Sequence, residues 1–227
     1  MFDVSIILEY YPLFLKGLVY TVLVCAAGIL GGLAWGLVLY AAGRANLKFL
    51  RAACRLYVNI FRGTPLLVQL FLLFYGGPLF GLRLSAIATG ILGLAAYGGA
   101  YFAEIYRAGF QSIPPGQIEA ARDLGLSRWQ IVRHIQLPQM LTLILPPLTN
   151  QAIIIVKESA ILSIITVPEL TTAAVKVSTT TFSIVEPYLL LAAAYWLIVQ
   201  GISMGGRAWE ARQMVYLARQ PQAPEKP

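Results

Sequence analysis

The chain has 227 residues, 58% of them hydrophobic and 12% charged, with a mean hydropathy of +0.71. A soluble domain of this length carries about twice that charged fraction, so a water-soluble globule is excluded and a membrane protein is expected. The net charge of +7 would suit nucleic acid, but the basic residues are confined to particular connections between apolar stretches, and nucleic acid is excluded as a partner.

Five windows are free of Asp, Glu, Lys and Arg: Gly17 to Gly43, Gly63 to Leu82, Leu84 to Ala103, His134 to Val156 and Pro187 to Gly206. Each is long enough to cross roughly 30 Å of hydrocarbon as a helix, so an all-α protein with five transmembrane helices is expected. Ahead of them, MFDVSIILEYYP has no basic start and no small-residue cleavage site, which argues against a removable signal peptide. The first window carries Gly28, Gly32 and Gly36, a ladder of small residues that lets another helix come close. Residues 44–62 form a basic, partly amphipathic connection expected to lie along the membrane interface, in contact with lipid.

The second window opens with Thr64-Pro65, a hydroxyl N-cap followed by proline at the first helical position, where its missing N–H costs nothing. A helix that begins inside the bilayer points its positive end at whatever passes, which suits a carboxylate. Gln69 is one turn further on, available to a passing solute or to a neighbouring helix. Only Arg83 separates the second and third windows, and Gly76-Gly77-Pro78 and Gly81 mark a tight turn there. Glu104 borders the third window. It either faces a water-lined interior or pairs with Arg107 at i,i+3.

Residues 119–138 read EAARDLGLSRWQIVRHIQLP. Gln117 to Leu124 favours a helix, Gly125 ends it, and Ser127 with Gln130 three residues later makes a capping-box start for another. Trp129, Val132 and Ile135 then share one face, and Pro138 is expected to end the unit. Lys157, Glu158 and Ser159 follow the fourth window, and charges in such places usually face protein or water. Residues 168–186 are too polar to span. The single domain is expected to cover residues 1–215, with residues 216–227 a disordered tail.

Arg44, Lys48, Arg51 and Arg55 follow the first window, Arg107, Arg122, Arg128 and Arg133 fall between the third and fourth, and Arg207, Arg212, Arg219 and Lys226 follow the fifth. The positive-inside rule makes these connections cytoplasmic, with the N-terminus outside and the C-terminus inside. Cys25 and Cys54 show no disulfide or metal spacing, the single histidine, His134, has no partner for a metal site or a catalytic pair, and no catalytic residue is expected. No G-x-x-x-x-G-K-[ST] phosphate loop is present, so this chain is not itself an ATP-driven engine.

The spacing EAA-x3-G-x9-I-x-LP resembles the coupling loop of the permease subunits of type I ABC importers. FRGTPLLVQL (61–70), YFAEIYR (101–107), VKES (156–159) and IITVPEL (164–170) resemble the polar amino-acid branch of that family, the histidine/glutamine/arginine type. The likeness covers about residues 13–207. Glu158-Ser159-Ala160-Ile161 departs from the Thr-Ser-Leu run usual there. The resemblance implies a type I permease fold in the bacterial inner membrane. It also implies a coupling segment 112–138 that docks on an ATPase through Glu119, Ala120, Ala121, Gly125, Leu126, Ser127, Arg128 and Trp129. Thr64, Gln69, Glu104, Glu158 and Ser159 are the expected substrate-binding residues. The implied partners are two ATPase subunits that bind the ATP, a second permease copy or paralogue, an extracytoplasmic solute-binding protein, and an amino acid as substrate. A permease for methionine or a metal, or a stand-alone channel or secondary transporter, are the alternatives. FRGTPLLVQL weighs against the first, and the lack of internal repeats against the second.

Overall fold

The computed structural model describes residues 3–218, which are helical nearly throughout. α1 (Val4–Gly43) leads into α2 (Lys48–Gly63) and the short α3 (Leu66–Phe71), which continues as a π-turn over Leu72–Gly76 and a 3₁₀ turn over Gly77–Phe80. Then come α4 (Ala86–Gln111), α5 (Pro115–Asp123) and α6 (Arg128–Ile131). A π-turn over Val132–Gln136 joins α6 to α7 (Leu137–Glu158), and a 3₁₀ turn over Ser159–Ile165 extends it. α8 (Leu170–Thr181) and α9 (Val185–Ala218) complete the fold.

Four stretches are long and apolar enough to cross a membrane: Ser5–Gly43, Ala86–Gln111, Arg128–Ile165 and Val185–Arg212. The window expected as a second straight span is instead the later arm of a bent pair, Lys48–Gly63 and Leu66–Phe80, folded by 110°. The bend falls where Pro65 offers no N–H to the turn before it and Thr64 turns extended, as a residue ahead of proline does (φ −122°, ψ 147°). The expected hydroxyl N-cap does not form. Thr64 Oγ1 donates backwards to the Ile60 carbonyl at 2.8 Å, closing α2 rather than opening α3. At the other end of the chain, α9 runs to Ala218, so residues 216–218, expected as tail, are helical, and the remainder of that tail lies outside the described residues.

Packing follows the glycine ladder. Gly32 and Gly36 on α1 lie so close to α4 that an added Cβ would stand 3.3 Å from the Gly99 nitrogen and 3.0 Å from the Gly99 oxygen, respectively. Between helices already surrounded by apolar tails, close backbone approach supplies van der Waals contact that bulkier residues would forfeit. Around this seam Leu70, Leu94, Phe102, Ile155 and Leu162 are fully buried. α1 is 40 residues long, about 60 Å, or twice the hydrocarbon thickness. Its early turns use the surplus, since Phe14 packs with Leu170, Ala174 and Val177 of α8. The segment 168–186, too polar to span, is therefore largely a packed helix, begun by Glu169, whose carboxylate accepts from the Thr171 and Thr172 amides at 2.8 Å each.

Candidate functional site: a polar pocket at the helix bend and an exposed helical loop

The bend between α2 and α3 opens a cavity of about 380 Å³, lined by Arg62, Gly63, Thr64, Pro65, Leu66, Leu67, Tyr97, Tyr101, Glu158 and Ile161. Of the residues expected to meet substrate, Thr64 and Glu158 come together here. Glu158 is half-buried and, among the described residues, has no cation within 4 Å, while its neighbour Lys157 is exposed. Two tyrosines of α4, one turn apart with ring centroids separated by 4.8 Å, form the wall near it. Tyr97 and Tyr101 were not among the residues expected at the site. Their i,i+4 spacing put them on one helix face but did not say which face lay inward.

The other three expected residues lie elsewhere. Gln69 staples the bend: its side-chain amide donates to the Phe61 carbonyl at 2.9 Å and to Thr64 Oγ1 at 2.9 Å. Glu104 forms the i,i+3 ion pair with Arg107 at 2.7 Å, and Arg62 approaches it at 3.6 Å. Arg62 also lies over the Tyr101 ring at 5.4 Å, so this one guanidinium links the ion pair to the pocket wall. Ser159 turns away from the pocket into the core. Its hydroxyl donates to the Val156 carbonyl at 2.7 Å and lies 3.4 Å from the Tyr195 hydroxyl. Residues 158 and 159 are about 100° apart on a helix, so one in the pocket puts the other in the packing.

The second feature is the helical loop. α5 ends in a Schellman turn: Leu126 N–H donates to Ala121 O at 3.1 Å and Gly125 N–H to Arg122 O at 2.8 Å, with Gly125 at φ +77°. Ser127 and Gln130 form both bonds of the capping box. Ala121 and Ile131 are buried and hold the unit, whereas Leu124 is 81% and Trp129 68% exposed. Of Trp129, Val132 and Ile135, expected on one face, Trp129 is exposed and the other two are half-buried. Pro138 does not end the unit either, and the helix passes through it. The π-turn gives the Leu137 N–H the Val132 carbonyl as partner, which absorbs the bond that Pro138 cannot donate. Glu119 and Ala120 are exposed on α5, and Glu119 has no ion-pair partner within 4 Å among the described residues.

Known proteins share this fold. The family model described as "Binding-protein-dependent transport system inner membrane component" matches residues 28–204. The crystal structure of an amino acid ABC transporter with histidines superposes with a TM-score of 0.87 at 36% identity, covering 93% of this chain and 99% of that one. YckA of Bacillus subtilis (strain 168), named "Probable amino-acid ABC transporter permease protein", is 38% identical over 87% of this chain and 88% of its own. GlnM of the same organism, named "Probable glutamine ABC transporter permease protein", is 33% identical over 92% and 97%.

The chain belongs to the family of binding-protein-dependent transport system inner membrane components and has the type I ABC permease fold. It is the permease subunit of an ABC importer, a transport subunit and not an enzyme. ATP hydrolysis is the work of a separate ATPase subunit, and an ATPase and a binding protein are its partners.

Proposed function

We propose that the chain forms one half of the translocation path for a polar amino acid, with the preference leaning to a basic one. The relatives are named for amino-acid and glutamine transport. The observation that carries the reading is the pocket at the bend, where Glu158 is half-buried beside two tyrosines with no cation within 4 Å among the described residues. A carboxylate in that position attracts an ammonium or guanidinium. The first-turn amides of Leu66 and Leu67 are assigned to the substrate carboxylate, since the Thr64 hydroxyl already donates to the Ile60 carbonyl. Glu104 is neutralised by Arg62 and Arg107, which leaves Glu158 as the free acid of the path.

In this reading the bent pair counts as one span, giving five, with the N-terminus outside and the C-terminus cytoplasmic. Two permeases, identical or paralogous, surround the path, and two ATPase subunits bind ATP and dock on the helical loops through Glu119, Gly125, Ser127, Arg128 and Trp129. Closure of the ATPases on ATP is transmitted through those loops. The test is uptake into vesicles carrying the Glu158→Gln permease with its ATPase and binding protein. The expected result is loss of transport with binding-protein-stimulated ATP hydrolysis retained. Uptake unchanged for every amino acid would remove Glu158 from the path.

A further inference from the structure

Beside the pocket at the bend, and sharing Arg62 with it, a second cleft of about 390 Å³ lies between the last turns of α1, one side of α2 and the later half of α4. Arg44, Arg51, Arg55, Arg62 and Arg107 line it, against the single carboxylate of Glu104. That carboxylate is already taken by Arg107 and Arg62. Among the described residues no acidic oxygen lies within 4 Å of Arg44, Arg51 or Arg55. Guanidinium groups gathered around one cleft repel each other, and an oxyanion between them reverses the sign of that energy. The forked geometry of arginine matches a phosphate group in particular.

The surroundings of the cleft distinguish between sources of phosphate. Its floor is apolar, with Leu39, Val58 and Ala103 buried together. On α1, Leu23, Leu30 and Leu37 are 60%, 66% and 53% exposed at seven-residue steps, and Arg44 is the next step on the same side. A helix row of exposed leucines is a surface for hydrocarbon, and the next step of that row, Arg44, lines the arginine cleft. Tyr40 marks the boundary. Its ring stacks on Phe110 at 5.0 Å, lies 5.6 Å below the Arg44 guanidinium, and its hydroxyl accepts from Arg44 Nη1 at 2.7 Å. An aromatic ring with a polar tip beside an arginine is the usual furnishing of a membrane–water interface.

We propose that this cleft binds the head group of an anionic phospholipid, with the phosphodiester held by Arg44, Arg51 and Arg55 and the acyl chains lying along the leucine row of α1. A soluble phosphate shares the head-group chemistry but has nothing to lay on the leucines. The test uses the assembled permease–ATPase complex in phosphatidylcholine vesicles containing a minor share of phosphatidylglycerol. The complex is extracted in mild detergent, and the lipid retained is quantified by mass spectrometry.

Wild type should retain phosphatidylglycerol above its share in the vesicles. Each arginine removed should lower that enrichment about fivefold, so Arg51→Gln with Arg55→Gln should abolish it. Arg212→Gln, on the exposed later part of α9, should leave it intact. Equal elution of wild type and variant on gel filtration, with the ATPase still bound, confirms that the variant is folded. Arg51→Lys with Arg55→Lys keeps the charge and should keep part of the enrichment if the gel-filtration profile is disturbed in the glutamine variant. Unchanged enrichment in the variants would overturn the proposal. So would displacement of the lipid by millimolar inorganic phosphate, which would make this a soluble-anion site. Loss of the ATPase from the variants with lipid retention unchanged would reassign the cleft to a protein contact and overturn it as well.

Discussion

Gly125 stands at φ +77° with no heavy atom within 4 Å of where a Cβ would be. A side chain there meets no steric block from the chain itself, so any effect comes from the left-handed backbone, which costs an L-residue roughly 1–2 kcal/mol, and more if β-branched. Gly125→Val is therefore expected to break the Schellman turn and misdirect Trp129, giving a permease that inserts normally but loses ATPase co-purification and uptake. Gly125→Asn, which tolerates this conformation, should keep both. Equal behaviour of the two variants would show that the surface of the loop, not its turn, carries the coupling. Serine at 159 gives the opposite lesson. It is adjacent in sequence to Glu158, yet its hydroxyl belongs to the core.

At the scale of helices, the seam between α1 and α4 and the start of α8 can each be tested by thermal unfolding in detergent. A Cβ on Gly36 would stand 2.8 Å from Phe102 Cβ and 3.0 Å from the Ala103 nitrogen, so backbone would have to move. Gly36→Ala should cost about 1–3 kcal/mol, whereas Gly43→Ala, with nothing within 4 Å, should be neutral or slightly stabilising. Glu169 is buried at the start of α8. Burial raises its carboxyl above the ordinary value of 4.5, and this outweighs the lowering by the Thr171 and Thr172 amides and the Tyr195 hydroxyl. The native state then holds a proton that the unfolded chain has released, so stability falls as pH rises from about 4.5 through the raised value. Glu169→Gln should flatten that part of the stability–pH profile. A profile parallel to wild type would show that Glu169 titrates normally. Glu169→Ala, which removes the cap altogether, should cost about 0.5–2 kcal/mol.

At the scale of the whole molecule, the orientation can be read with reporter fusions. Fusions after Asn46 and Ser127 are expected to report cytoplasm, and a fusion after Thr180 the opposite side. An external signal at Ser127 would put the helical loop out of reach of an ATPase. The membrane class, the glycine seam, the Gly125 turn and the Ser127 capping box were legible in the amino-acid sequence, because each depends on a local property: apolar length, a missing Cβ, a left-handed residue or a hydroxyl three residues from an amide. The sequence also contained the proline that bends the chain at residue 65, but not the direction in which Thr64 would spend its hydroxyl. It took the folded chain to show that Gln69 closes the bend, that the helix runs on through Pro138, and that Tyr97, Tyr101 and Glu158 share a pocket while Ser159 and Glu104 do not open freely into it. The physical reason is rotational. A helix apolar on nearly every side gives little periodic signal about which face turns inward, and that rotation is set by close packing against neighbours distant in sequence.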